Sequence, residues 1–450
     1  MNGVDSIQKS TKSTRFMELE GLRGVAAIIV VLFHTILMFY PGFFYGPASY
    51  DGAHVQGMRF EDKLYGNPIM GLLTGSFSVA IFFVLSGFVL SVGFLKTGDR
   101  NVIKRLATKR YARLMLPVLA AIFFAYVIMA SGLDIWRGQA VTITHSVWLA
   151  GLWPQTPNFW EALVQGIYSV FTVGSASYDP VLWTIKYELI GSFIIFGMAL
   201  LFLNSRYRWV TYVILGLAFA SSWYLGFIIG MVLADLYVNY KRRLQSIPSW
   251  VLVICAVIGV GLGAFPPTSL VGTLFQWIQL PNMTQLQNMS FYLTIGATLV
   301  ILATLLLPRL TKFFSHPRIA VLGKYTFALY LVHLPILLSL GLGIFVGLHN
   351  FIGVHKAIVV SMGITLPVVT LVTYLFEKFI DAPSIKLSSF VADMYSGNRV
   401  FTFDFRQLRT HFLAYIVLSR RWIVEVLGIF SYQNIKSKYV TWRAADEDIE

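Results

Sequence analysis

The chain has 450 residues, of which 56% are hydrophobic and 12% charged, with a mean hydropathy of +0.69. Soluble domains carry about 25% charged residues, so composition excludes an ordinary soluble enzyme and predicts an all-α, polytopic membrane bundle. The formal net charge of +14 invites a nucleic-acid reading, but the basic residues fall in short clusters between apolar runs. That is the positive-inside pattern, so the expected contacts are membrane lipids and no nucleic acid.

Residues 1–15 are polar with no apolar core, so no cleavable signal peptide is expected and the first span directs insertion. Apolar runs then predict ten spans, near 21–40, 71–95, 114–131, 181–203, 209–222, 224–239, 249–264, 289–308, 325–347 and 356–376. Alternate connections are rich in Lys and Arg: Lys9 to Arg15, Lys96 to Arg113, Arg206/Arg208, Lys241–Arg243 and Arg309 to Arg318. With ten spans all of these share one side, which puts both termini in the cytoplasm. The opposite connections 41–70, 132–180 and 265–288 are poor in Lys and Arg, and the last carries two glycosylation sequons, at Asn282 and Asn288.

The first span, GLRGVAAIIVVLFHTILMFY, holds Arg23 and His34. Eleven residues apart, they lie ~16 Å apart along a helix and about 20° apart around it. Ionisable groups inside a span are costly and face a bundle interior, a cavity or a substrate path. A snorkelling arginine with a histidine bonded to a neighbouring helix is the structural alternative. In the second span, Ser86-Gly87-Phe88 is a small-residue break that lets backbones or a ligand approach closely.

At the start of the third span, Arg110 and Arg113 share one helical face, with Lys104, Arg105 and Lys109 nearby. Two guanidinium forks on one face suit phosphate; equally, such a cluster anchors anionic lipid heads. Segment 132–180 has no sustained span but carries Trp148, Trp153, Phe159, Trp160 and Tyr168, and is expected to form an interfacial or re-entrant cap. In the fourth span, Glu188 of LWTIKYELIGS needs an Arg or His partner from another helix if it is not solvated at the interface. His333 lies inside the ninth span with Pro335 just after it, where bonding to a backbone carbonyl is the default. Glu377-Lys378 and Asp381-Ala-Pro383 close the last span.

The tail around HFLAYIVLSRRWIVEVLGIF is interrupted by Arg420 and Arg421, so a surface-lying amphipathic helix is expected there rather than an eleventh span. The single cysteine, Cys255, leaves no disulfide framework and no thiolate-rich metal site. No HExxH or Gly-x-Ser-x-Gly pattern is present, which argues against a membrane protease or serine hydrolase, and no metal is expected.

Taken together, these segments resemble the acyltransferase 3 family of polytopic membrane O-acyltransferases. The resemblance rests on Leu19-Glu20-Gly21-Leu22-Arg23-Gly24-Val25-Ala26-Ala27 followed by His34, on Phe82 to Phe88, and on Arg110-Tyr111-Ala112-Arg113-Leu114 with Pro117. It continues through Leu182-Trp183-Thr184 with Glu188, Tyr330 to His333 with Pro335, and Glu377-Lys378, where Asp381-Ala-Pro383 replaces a closer proline. It spans 16–385 as a transmembrane domain, between the polar N-terminus 1–15 and a cytoplasmic tail 386–450.

The resemblance implies a donor such as acetyl-coenzyme A presented from the cytoplasm, and an acceptor hydroxyl on a sugar, lipid or small metabolite. It also implies His34 as the catalytic residue, Arg23 as its electrostatic or positioning partner, and Arg110 and Arg113 as donor-binding residues. His34 then acts as a base toward the acceptor hydroxyl or carries the acyl group covalently. Glu188, His333 and Ser86 are further substrate-binding or structural candidates. A multi-pass transporter or exporter of a small solute is the rival reading, since it would also place Arg, His and Glu along a pathway.

Overall fold

Apolar segments that must satisfy their own backbone in lipid have only helices available in a chain of this composition. The computed structural model describes residues 16–46, 49–50, 60–153 and 155–395. Among them there are helices and turns but no strand, apart from one isolated bridge between Tyr50 and Ser146. The polar segment 1–15, the tail beyond residue 395 and its expected amphipathic helix lie outside the described residues.

Seven helical stretches are long and apolar enough to cross a membrane, which makes the protein an integral membrane protein. In chain order the bundle helices are α1 (Met17–Phe39), α2 (Gly75–Thr97), α3 (Arg100–Ala130) and α4 (Trp183–Leu201). Next come α5 (Arg208–Ala218), α6 (Tyr224–Asn239), α7 (Ser249–Leu262), α8 (Gln285–Leu306) and α9 (Leu322–Ile336). The last are α10 (Leu342–Ile352), α11 (Val354–Phe376) and α12 (Ala382–Tyr395). The fifth, sixth and seventh expected spans are the short helices α5, α6 and α7, each under 18 residues. Sequence therefore located ten apolar segments, of which seven have full spanning length.

Two joints are π-turns, Leu337–Gly341 between α9 and α10 and Glu377–Asp381 between α11 and α12. α3 begins fourteen residues before the expected edge at 114, so its basic stretch from Lys104 to Arg113 is helical and continuous with the apolar part. α12 runs on past residue 385 to Tyr395 and packs along α3.

Close packing fixes the helix positions. α6 lies along α2 with no room for side chains at the crossing: a Cβ on Gly87 would come within 2.2 Å of the Phe227 carbonyl oxygen, and one on Gly230 within 2.1 Å of the Val84 carbonyl. The small-residue break in the second span is thus a helix-packing device. α1 packs between α2 and α9, and α4 against α2 and α3, so α1, α2, α3, α4 and α9 surround one interior.

The segment 132–180 forms short helices at the end of the bundle opposite the basic connections. Trp153 and Tyr178 are buried there, and the Trp153 indole donates to the Tyr178 carbonyl at 2.7 Å. Of the two sequons, Asn288 is fully buried. Its side-chain amide donates to the carbonyls of Met283 and Thr284 at 3.1 and 3.2 Å, and its Oδ1 accepts from the Leu280 amide at 2.8 Å. Asn282 is exposed, at a left-handed backbone position with φ of 65°.

Candidate active site

A cavity of about 510 Å³ opens among α1, α2, α3, α4, α9 and the π-turn after α11, within the roughly 300–1,000 Å³ typical of small-molecule sites. Its basic residues are Arg23, Arg110, Arg113 and Lys324, and its carboxylates are Glu20, Glu188, Glu377 and Asp381. Each cation has a partner. Arg110 pairs with Glu188; Arg113 donates to Asp381 at 2.6 Å; Lys324 lies 3.1 Å from Glu377; and Arg23 lies 3.9 Å from Glu20, one turn away. Glu377 and Asp381 are buried, and pairing offsets the cost of taking such carboxylates out of water.

The arginines are nevertheless not saturated. Arg110 donates its Nε to Ser192 at 2.8 Å and one terminal nitrogen to Glu188, while Arg113 uses Nη1 for Asp381 and for Ser384 at 3.1 Å. A guanidinium has five donors in a fixed fork, so each keeps N–H groups available to an anion in the cavity. Two guanidiniums three residues apart on one helix face, both lining the same concavity, fit a phosphate-bearing ligand. Arg105 faces elsewhere, 3.0 Å from Asp393.

Glu188 also receives the Ser86 hydroxyl at 2.8 Å. The partner expected for an intramembrane Glu188 is thus Arg110 of α3, and Ser86 joins the same cluster. Glu377 and Asp381 enter the sequence reading only as residues that close the last span or belong to a motif, and Lys324 does not enter it. Their place in the cavity was hidden because a charge at the edge of an apolar run looks like a stop signal until its distant partner is known.

Phe82, Thr184 and Tyr330 also line the cavity. The Tyr330 hydroxyl donates to the Val181 carbonyl at 2.6 Å and lies 2.9 Å from the Thr184 hydroxyl. One turn further along α9 is His333, fully buried, with ring centroids of Tyr330 and His333 6.1 Å apart. His333 meets His34 of α1: His333 Nε2 lies 3.1 Å from His34 Nδ1. Each ring is also tied to its own helix, His34 Nδ1 at 3.0 Å from the Val30 carbonyl and His333 Nδ1 at 3.0 Å from the Leu329 carbonyl. From the cap, Trp148 stacks beside His34 with centroids 5.9 Å apart.

The structure therefore brings Arg23, Ser86, Arg110, Arg113 and Glu188 to one cavity and joins His34 to His333 one turn past Tyr330 on α9. Arg23 and His34 do not touch. They stand about 16 Å apart along α1, with Arg23 on the cavity and His34 against α9. The alternative of a histidine bonded to a neighbouring helix is thus met at His34, but local spacing does not name His333 as its partner, because the contact joins residues 299 positions apart. Among the described residues no group of three or more His, Cys, Asp or Glu could hold a metal ion.

A family model described as an acyltransferase domain matches residues 17–376. The chain is 27% identical over 427 residues to O-acetyltransferase PaAT-1 of Phomopsis amygdali, an alignment covering 82% of this chain and 83% of the relative. It is 22% identical over 442 residues to acyltransferase clz18 of Cochliobolus lunatus, covering 81% and 93%. No solved structure matches the chain.

Proposed function

The chain belongs to this acyltransferase family, and from that premise we propose that it moves an acetyl group from coenzyme A to a hydroxyl of a sugar, lipid or small metabolite. The observation that carries the proposal is one continuous arrangement. An arginine-lined cavity reaches Tyr330, and the only two histidines joined to each other among the described residues lie a helical turn beyond.

The positive-inside pattern of the basic connections supports a cavity mouth that faces the cytoplasm, the side from which acyl-coenzyme A would be presented. Arg110 and Arg113 offer their spare N–H groups to the donor's phosphates, and Arg23 adds a third guanidinium at the same end. Phosphate competes there with Glu188 and Asp381, so donor binding exchanges one set of ion pairs for another. The thioester arm extends along α9 toward Tyr330, one turn from the His333–His34 pair.

At His34 the acceptor hydroxyl gives up its proton to the imidazole as its oxygen attacks the thioester carbonyl. A new C–O bond forms, the C–S bond breaks, and the departing sulfur takes the proton from the imidazolium. General-base assistance of this kind contributes roughly 10²–10⁴ in rate. The full-length protein in detergent, given acetyl-coenzyme A and candidate acceptors, should release free thiol only when acceptor is present. His34→Ala should lower that release by at least about 10² with unchanged donor binding and an unchanged gel-filtration profile. Undiminished turnover in a well-folded His34→Ala protein would remove His34 from the chemistry.

A further inference from the structure

We propose that His333 is the positioning residue of this site: it accepts the Nδ1 proton of His34, which leaves His34 Nε2 as the nitrogen that reacts. The proposal rests on the acyl-transfer reading above. Its starting point is that a carbonyl oxygen only accepts hydrogen bonds, whereas a neutral imidazole has one N–H and one bare nitrogen.

His333 Nδ1 faces the Leu329 carbonyl at 3.0 Å, so the proton of His333 sits on Nδ1 and its Nε2 is bare. That bare nitrogen points at His34 Nδ1 from 3.1 Å, so His34 Nδ1 must be the donor. The Val30 carbonyl, 3.0 Å from the same Nδ1, requires the same assignment independently. The opposite assignment would set a lone pair of each ring against a carbonyl oxygen. Two carbonyls on two helices thus select one pair of tautomers, and in it His34 Nε2 carries no proton.

Burial separates the two rings in the same sense. His333 is fully buried, whereas His34 keeps part of its surface accessible, and no partner exists for its Nε2 among the described residues. The accessible ring is the one with the bare nitrogen, and the inaccessible ring is the one that only orients. When Nε2 takes the acceptor's proton, the charge formed on the ring is met at Nδ1 by the His333 lone pair. A neutral imidazole here fills the place that a carboxylate takes behind the histidine of a hydrolase triad, without bringing a further charge into the membrane.

The test uses the full-length protein with two variants of matched length. His333→Gln can present Oε1 where Nε2 stands; His333→Met fills the space with no comparable acceptor. His333→Gln should keep kcat within a few-fold of wild type. His333→Met should lose on the order of 10² in kcat with KM for acetyl-coenzyme A unchanged. That is short of the roughly 10⁴ lost when a triad histidine is held in the wrong tautomer, because Val30 still holds Nδ1.

Nitrogen NMR of ¹⁵N-histidine-labelled protein, with the His34 signals assigned by their loss in His34→Ala, should show protonated Nδ1 and bare Nε2. The Nδ1 signal should move in His333→Met and hold in His333→Gln. Equal kcat in the two His333 variants, or a proton on His34 Nε2 in the wild type, would overturn the proposal. A wild-type protein without acyl transfer would sink the functional reading instead, and the nitrogen spectrum would still decide the tautomer.

Discussion

At the scale of single residues, the ionisable groups inside apolar runs were the legible part of the site. Arg23, His34, Glu188 and His333 stand out because each is costly in lipid, and each has a specific neighbour or lines the cavity. Their pairings were not legible. Nothing in local spacing says that Glu188 would find Arg110 or that His333 would find His34.

Asp179 was missed altogether, because it precedes its helix in a polar stretch. It is fully buried just before α4, and burial pushes its carboxyl well above the usual carboxylate range, with the Val181 backbone amide offsetting this only in part. The native state therefore holds a proton that the unfolded chain releases near pH ~3.9. Stability falls as pH rises from that value toward the native one, and is greatest below it. Asp179→Asn removes the penalty. The variant should melt higher than wild type at pH 8, and the gap should narrow at pH 5; a gap that is absent or reversed would show that the carboxylate is stabilised when charged.

At the scale of elements, apolar periodicity located the helices but could not fix where they begin or join. α3 starts early because a run of Lys and Arg has good helix propensity and its charges pair with α4, the π-turn and α12 rather than breaking the helix. The π-turn at Glu377–Asp381 is the clearest loss. It reads as a stop, yet its wider turn carries two carboxylates inward, one to Lys324 and one to Arg113, in keeping with the frequent placement of π-bulges at functional sites.

The α2–α6 crossing was legible in kind, from Ser86-Gly87-Phe88, though not in partner. Because the Phe227 carbonyl lies where a Gly87 side chain would be, the obstruction is backbone and cannot rotate away. Gly87→Val should destabilise the protein by about 1–3 kcal/mol through overpacking. The same change at Gly197, where an added Cβ meets nothing within 4 Å, should leave stability within about 0.5 kcal/mol. Detergent thermal melts of the two variants compare them directly, and equal melting temperatures would show that α6 can shift away from α2 at little cost.

At the scale of the whole molecule, the class, the ten apolar segments and the asymmetry of charge all follow from composition and patterning, because the bilayer leaves so few ways to bury a backbone. The interior route does not, since it is assembled from five helices that are far apart in sequence. The two ends of that route are distinguished by charge, and the sequons offer a test of which end faces the cytoplasm. Asn282 lies on the connection before α8 and Asn288 in the first turn of α8, both at the end opposite the basic clusters, yet only one is usable. Asn288 is buried with its amide bonded to backbone carbonyls, so a glycan there would cost the fold those bonds and the burial around them, whereas Asn282 is exposed. Expressed in a eukaryotic secretory membrane, the full-length chain should carry one glycan, lost on glycosidase treatment and in Asn282→Gln. A shift that survives Asn282→Gln would place a glycan on Asn288 and contradict the packing before α8. A chain left unmodified even with an added sequon among the exposed residues 276–279 would put this end in the cytoplasm, and the arginine-lined cavity would then open away from the acyl donor.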